Sequence, residues 1–195
     1  MFVEQIFTSF IAQETLELDN AAIARFCYDK IKNDPGTLEN QCMISYEEGH
    51  SPLLSTLVDT VIDRFQMVHA KCGLNPAIKQ ELINAWININ PNSVIGAPHA
   101  HQVATFSAVY YVQASEGSGH LDFMTPITAH RYTLPDGVVS ERNHFNSDMW
   151  SIKPITGKLI IFPSWLYHFV RPNTDGKDRI TMAFNSQFEH RVHRR

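Results

Sequence analysis

Between residues 79 and 189 the chain is cut into short β-prone runs, and this punctuation constrains the fold more than any other feature. Candidate strands fall at 82–90, 99–113 (with a break near Val103), 120–124, 150–152, 158–162, 165–171 and 179–188. Gly117-Ser118-Gly119, Pro154, Thr156-Gly157 and Asp175-Gly176 lie between them. Short strands separated by Gly and Pro turns predict a sandwich or a barrel. The stretch 125–148 has weak periodicity and reads as a long surface loop of the kind that covers a site.

The first 78 residues have a different character. Asp19 or Asn20 can cap a helix running to about Lys32, stopped by Asn33-Asp34-Pro35-Gly36. In a second helix Ser51 is the natural N-cap and Pro52 the natural first residue. Leu54, Leu57, Val58, Val61, Ile62, Phe65 and Val68 then make an apolar stripe that ends at Cys72-Gly73. One apolar face on each helix predicts packing against the strand-rich half. The 195 residues thus form a single domain: helical support at 1–78, a β core at 79–189 and a basic tail at 190–195. The tail reads as a frayed terminus.

Composition narrows the setting. A net charge of −4 gives no electrostatic reason for a constitutive nucleic-acid partner. No apolar run approaches the roughly 20 residues that cross a bilayer, and no secretory leader pattern opens the chain. Cys27, Cys42 and Cys72 are widely spaced, as expected of reduced thiols. A cytoplasmic protein is the expectation, and a homodimer through a helical face is open to it.

The chemistry concentrates in His99-Ala100-His101 and, much later, His168. Side chains two apart in an extended chain share a face, so His99 and His101 can aim at one point. A third imidazole from a neighbouring strand would complete three metal ligands and leave an open face, the mark of a catalytic rather than a structural site. If 165–171 and 179–188 form a hairpin about Asn173 and Thr174, Arg179 falls opposite His168, and Thr181 shares Arg179's face. A guanidinium beside a hydroxyl is a good receptor for a carboxylate.

Five blocks in order carry a family resemblance: Ala85-Trp86-Ile87-Asn88-Ile89; Pro98-His99-Ala100-His101; Ser107-Ala108-Val109-Tyr110-Tyr111-Val112; Gly157 through His168; and Arg179-Ile180-Thr181-Met182-Ala183-Phe184-Asn185. Over roughly Trp86 to Asn185 the chain resembles a family of 2-oxoglutarate/Fe(II)-dependent oxygenases of bacteria and phages. The resemblance implies a mainly β fold, a double-stranded β-helix (jelly roll) flanked by the N-terminal helices. It implies an enzyme that uses Fe(II), 2-oxoglutarate and dioxygen, hydroxylates a small-molecule or protein substrate, and releases succinate and carbon dioxide.

The resemblance also assigns residues. His99 and His168 match the first and distal iron-binding histidines. His101 stands where a carboxylate is usual, and three imidazoles still suit iron; Asp122 is the alternative third ligand. Arg179 and Thr181 match the Arg-x-Ser/Thr device that holds the far carboxylate of 2-oxoglutarate, with Tyr110 or Tyr111 and Asn88 as further hydrogen-bonding candidates.

Two rival readings are a cupin-type metal enzyme that does not use 2-oxoglutarate, and a non-catalytic jelly-roll binding protein. The first usually has a Glu soon after His-x-His, whereas 102–111 contains no acidic residue. The plainer expectation for Arg179 is an ion pair with Asp178 or Glu189. His120, His130 and His144 read as solvated; His130-Arg131 is also placed to meet a substrate. Trp86, Trp150 and Trp165 read as core.

Overall fold

A computed structural model describes residues 1–4, 6–34, 40–91, 96–127, 134 and 137–189. His130-Arg131 and the tail 190–195 lie outside the described residues. In chain order the elements are β1 (Ala12–Thr15), α1 (Asn20–Asn33), β2 (Gln41–Met43), α2 (Tyr46–Gly49), α3 (Ser55–Lys71), β3 (Gln80–Asn90), β4 (Phe106–Gln113), β5 (Leu121–Met124), β6 (Met149–Ile152), β7 (Lys158–Pro163), β8 (His168–Val170) and β9 (Arg179–Phe188). They build a six-stranded sheet in the order β1-β7-β4-β9-β3-β2 and a three-stranded sheet in the order β6-β5-β8. Every strand pair is antiparallel.

Alternation along the strands separates two cores. From the large sheet, Ile87, Ile89, Ala108, Tyr110, Leu159, Ile161, Met182 and Phe184 meet Ile23 of α1 and Leu57, Val58, Val61 and Phe65 of α3. The opposite face contributes Tyr111, Ile160 and Phe162, which pack on Leu121 and Phe123 of the small sheet. Strand β9 is buried on both faces and so carries apolar residues at 180, 182 and 184 and polar ones at 179, 181 and 185.

α1 begins where the sequence predicts, with the Asp19 carboxylate accepting the Ala22 amide at 3.0 Å. α3 begins later than expected. The Leu54 and Ser55 amides both go to the Ser51 carbonyl, so Ser51 to Leu54 form a turn and the helix starts at Ser55. Its four residues Leu57, Val58, Val61 and Phe65 are essentially solvent-free. At roughly 1.5–3 kcal/mol each, that burial outweighs the missing side-chain cap, worth about 1 kcal/mol.

Three expectations are corrected. The N-terminal region also supplies β1 and β2, the edge strands of the large sheet; at four and three residues they are too short to show a period. The strand expected at 99–113 is regular only from Phe106, and His99 joins by a single bridge to His168. β8 and β9 do not form a hairpin: β8 pairs with β5 in the small sheet, β9 with β3 and β4 in the large one. The loop 171–178 crosses the sandwich.

The tryptophans are not core residues. Trp150 and Trp165 are exposed, and Trp86 is half-buried, lining the space between the sheets.

Candidate active site

The three histidines ride on one short ribbon. The His99 amide donates to the His168 carbonyl and the His168 amide to the His99 carbonyl, both at 3.0 Å. The His101 amide donates to the Ser164 carbonyl at 2.8 Å. This zips 99–101 onto 164–168 and brings one ligand nitrogen from each histidine within 4.8 Å of the other two. His99 and His101 therefore converge as their spacing predicts, although the chain there is an extended ribbon and not a ladder strand.

The tautomers follow from the acceptors. His99 Nδ1 lies 2.9 Å from the Ala97 carbonyl and His168 Nδ1 2.9 Å from the Leu166 carbonyl. A carbonyl only accepts, so both Nδ1 atoms carry a proton, which leaves each Nε2 as the nitrogen that can offer a metal its lone pair. Burial pushes His168 down to about 4, against a smaller upward pull from the Leu166 carbonyl. Burial, then the proximity of His99, lowers His101. Burial thus favours the neutral form of His101 and His168, the form that binds a metal.

Across the same cavity, of about 320 Å³, stands Arg179. The residue is 2% exposed. Nη1 donates to the carbonyls of Ser118 and Arg171, and among the described residues no carboxylate pairs with it. Asp178 instead accepts from the Tyr28 hydroxyl. Burial holds the guanidinium below its ordinary range, only partly offset by Tyr111. No Asp or Glu lines the cavity among the described residues.

Gly119 permits the carbonyl cradle around Arg179. Its φ is +73°, and a Cβ there would sit 2.3 Å from the Arg171 oxygen.

Between these two poles runs a polar row. Gln41, Asn88, Thr181 and Tyr111 are cross-strand neighbours on β2, β3, β9 and β4. Gln41 Nε2 donates to Asn88 Oδ1 at 2.9 Å, and Asn88 Nδ2 lies 3.5 Å from Thr181 Oγ1. Tyr111 is buried and its phenol is pushed up to about 12 by burial, so it stays a hydrogen-bond donor. Tyr110 points the other way: its hydroxyl donates to Asn20 Oδ1 at 2.6 Å beneath α1. Of the two adjacent tyrosines, Tyr111 is the one in the cavity, because neighbours on a strand face opposite sides.

Residues 84–185 match the family described as "Putative 2OG-Fe(II) oxygenase". The chain belongs to this family of 2OG-Fe(II) oxygenases. No curated protein matches the oxygenase. Its fold is shared by solved structures of low identity. A Pseudomonas putida prolyl-4-hydroxylase is 16% identical over 92% of this chain and 93% of that one, with a TM-score of 0.63. The non-heme alpha ketoglutarate dependent carbocyclase SnoK of nogalamycin biosynthesis is 11% identical over 90% and 78%, with a TM-score of 0.64. HygX from Streptomyces hygroscopicus, solved with nickel and 2-oxoglutarate, is 11% identical over 91% and 81%, with a TM-score of 0.55. These likenesses establish the jelly roll; the family match establishes an oxygenase that takes iron(II) and 2-oxoglutarate.

The donor set of the oxygenase fits iron(II). Imidazole nitrogens suit it, and three on one face leave positions open toward the cavity. Asp122, the alternative third ligand, is turned away. Leu121 and Phe123 face the cavity side, and Asp122 between them lies on the opposite face of the small sheet, fully buried, where its carboxylate accepts from Arg171 Nε at 2.5 Å. The sequence reading missed Gln41, Trp86, Ser107 and Asn185 in the cavity lining. Asn185 was within reach, lying four residues after Thr181 on the same strand face. Nothing in the sequence points to Gln41.

Proposed function

We propose that this oxygenase is an Fe(II)- and 2-oxoglutarate-dependent dioxygenase that hydroxylates its substrate and releases succinate and carbon dioxide. Its metal ligands are His99, His101 and His168. The observation that carries the reading is the buried Arg179 with no acidic partner among the described residues, in the same cavity as three converging imidazoles. A buried cation without a counter-ion is costly, and a carboxylate ligand entering the cavity supplies one.

The roles follow from chemistry. The Nε2 lone pairs of His99 and His168, held by the Ala97 and Leu166 carbonyls, take the metal together with His101. Arg179 receives the far carboxylate of 2-oxoglutarate, and Thr181 and Tyr111 donate to its oxygens. Asn88 orients Thr181. Leu121 and Phe162 wall the cavity with apolar surface and exclude water. Bound at the histidines, iron(II) supplies the redox chemistry that couples dioxygen and 2-oxoglutarate to substrate oxidation. With histidine as the third ligand, the site bears one more positive charge than a two-histidine, one-carboxylate site, which favours a dianionic cosubstrate.

Anaerobic addition of Fe(II) and 2-oxoglutarate should produce the weak visible charge-transfer band of the chelate. Its absence, under conditions where iron is shown to bind, would refute the cosubstrate assignment.

A further inference from the structure

We infer that Ser164, Ser107 and Asn185 form a positioning relay that fixes the metal-ligand ribbon to the large sheet. The inference rests on the metal site proposed above. Ser107 Oγ lies 2.7 Å from Asn185 Oδ1 and 2.9 Å from Ser164 Oγ. The three residues are 2%, 5% and 0% exposed.

Proton inventory gives the relay one direction. An amide oxygen only accepts, so the Ser107 hydroxyl is committed to Asn185. Ser107 then accepts, and the Ser164 hydroxyl donates to it. Buried hydroxyls in such a chain each lose a partner if the middle one is removed.

Ser164 sits where the ribbon meets the sheet. Its carbonyl receives the His101 amide, and its own amide donates to the Thr105 carbonyl at 3.1 Å. His168 lies four residues further along the same segment, and its Nδ1 is tied to Leu166 of that segment. The neighbouring side chains Trp165 and Tyr167 are more than half exposed, so they add little packing to hold the turn. The relay is therefore a side-chain tie between ligand-bearing ribbon and β4–β9 framework. His101 depends on it most directly, through a single carbonyl. Groups that orient metal ligands from behind typically govern about 10–100-fold in metal affinity.

The test compares Ser107→Thr with Ser107→Val. Both add a methyl to Cβ beside the cavity, and they differ only in that Thr keeps the hydroxyl where Val has a second methyl of similar size. Co(II) titration followed by its visible absorption reads affinity and ligand geometry without turnover. The Ser107→Thr variant should bind Co(II) close to wild type, and Ser107→Val about tenfold or more weakly with an altered spectrum. Equal Co(II) affinity and spectra in the two variants overturns the inference, even if Ser107→Val melts lower, since that outcome is a structural hydrogen bond alone. If Ser107→Val does not fold, Ser164→Ala takes its place: weaker Co(II) binding supports the relay, and unchanged binding overturns it. Wild-type protein that fails to bind Co(II) removes the proposed metal site itself, a failure distinct from the other two.

Discussion

Replacing Arg179 by Met separates what this residue does for binding from what it does for stability. In the folded protein Arg179 is 2% exposed, and its guanidinium is hydrogen-bonded to two carbonyls and without a carboxylate partner among the described residues. Arg179→Met leaves the Ser118 and Arg171 carbonyls short of a donor, at about 1–3 kcal/mol each. It also removes a buried charge, and exchanging buried charge for apolar volume is often neutral or stabilising by roughly 1–4 kcal/mol. The two terms nearly cancel, so the ligand-free variant should melt within a few degrees of wild type. Binding has no such compensation: losing one partner of a buried charge pair costs about 2–5 kcal/mol. That is roughly 30-fold to several thousand-fold in the 2-oxoglutarate dissociation constant.

Thermal unfolding of metal-loaded protein under anaerobic conditions, with and without 2-oxoglutarate, reads both quantities. At a ligand concentration about 100 times the dissociation constant, wild type gains about 2.7 kcal/mol. For a chain of this size that is a rise in Tm of roughly 5–10 °C. At the same concentration Arg179→Met should gain under about 1 kcal/mol, a rise of no more than about 3 °C. Retention of the full ligand shift would show that Arg179 does not receive the carboxylate. A ligand-free Tm lower by more than about 10 °C would show that its first role is structural.

Three further outcomes follow from the geometry. Gly119→Ala should destabilise by about 2–4 kcal/mol, because a Cβ at φ +73° would meet the Arg171 and Pro172 oxygens at 2.3 and 2.5 Å. Gly137→Ala, at φ +90° in open space, should lose only about 1–2 kcal/mol, with denaturant titration of both variants as the check. Tyr111→Phe should weaken 2-oxoglutarate binding measured by calorimetry, whereas Tyr110→Phe should leave it intact and cost about 1 kcal/mol of stability through the lost bond to Asn20. His101→Ala should abolish high-affinity Fe(II) binding while Asp122→Asn preserves it; metal analysis after dialysis showing the reverse would make Asp122 the third ligand.

Much of this molecule is local chemistry that the sequence alone determines. Asp19 caps α1, the stripe from Leu57 to Val68 faces the core, and β9 shows its two faces in the alternation from Arg179 to Phe188. His99-x-His101 and Arg179-x-Thr181 bring like-facing pairs together by the period of an extended chain alone. What a period of two leaves open is which face looks at which partner. That choice belongs to register, and register is set by pairing between distant segments.

Tertiary structure therefore decided that Tyr111 and not Tyr110 enters the cavity, with the register shift between Tyr111 and Gln113 beside it. It turned Asp122 to the far face of the small sheet, onto Arg171, and left His101 as the third imidazole. It sent β8 and β9 into opposite sheets, so His168 and Arg179 line one cavity from two sides instead of lying side by side in a hairpin. Gln41 reached that cavity from an edge strand of three residues, too short to leave a pattern in the sequence. Short-range periodicity orders side chains along a strand; only long-range pairing assigns the strand's faces to a core, a cavity or solvent.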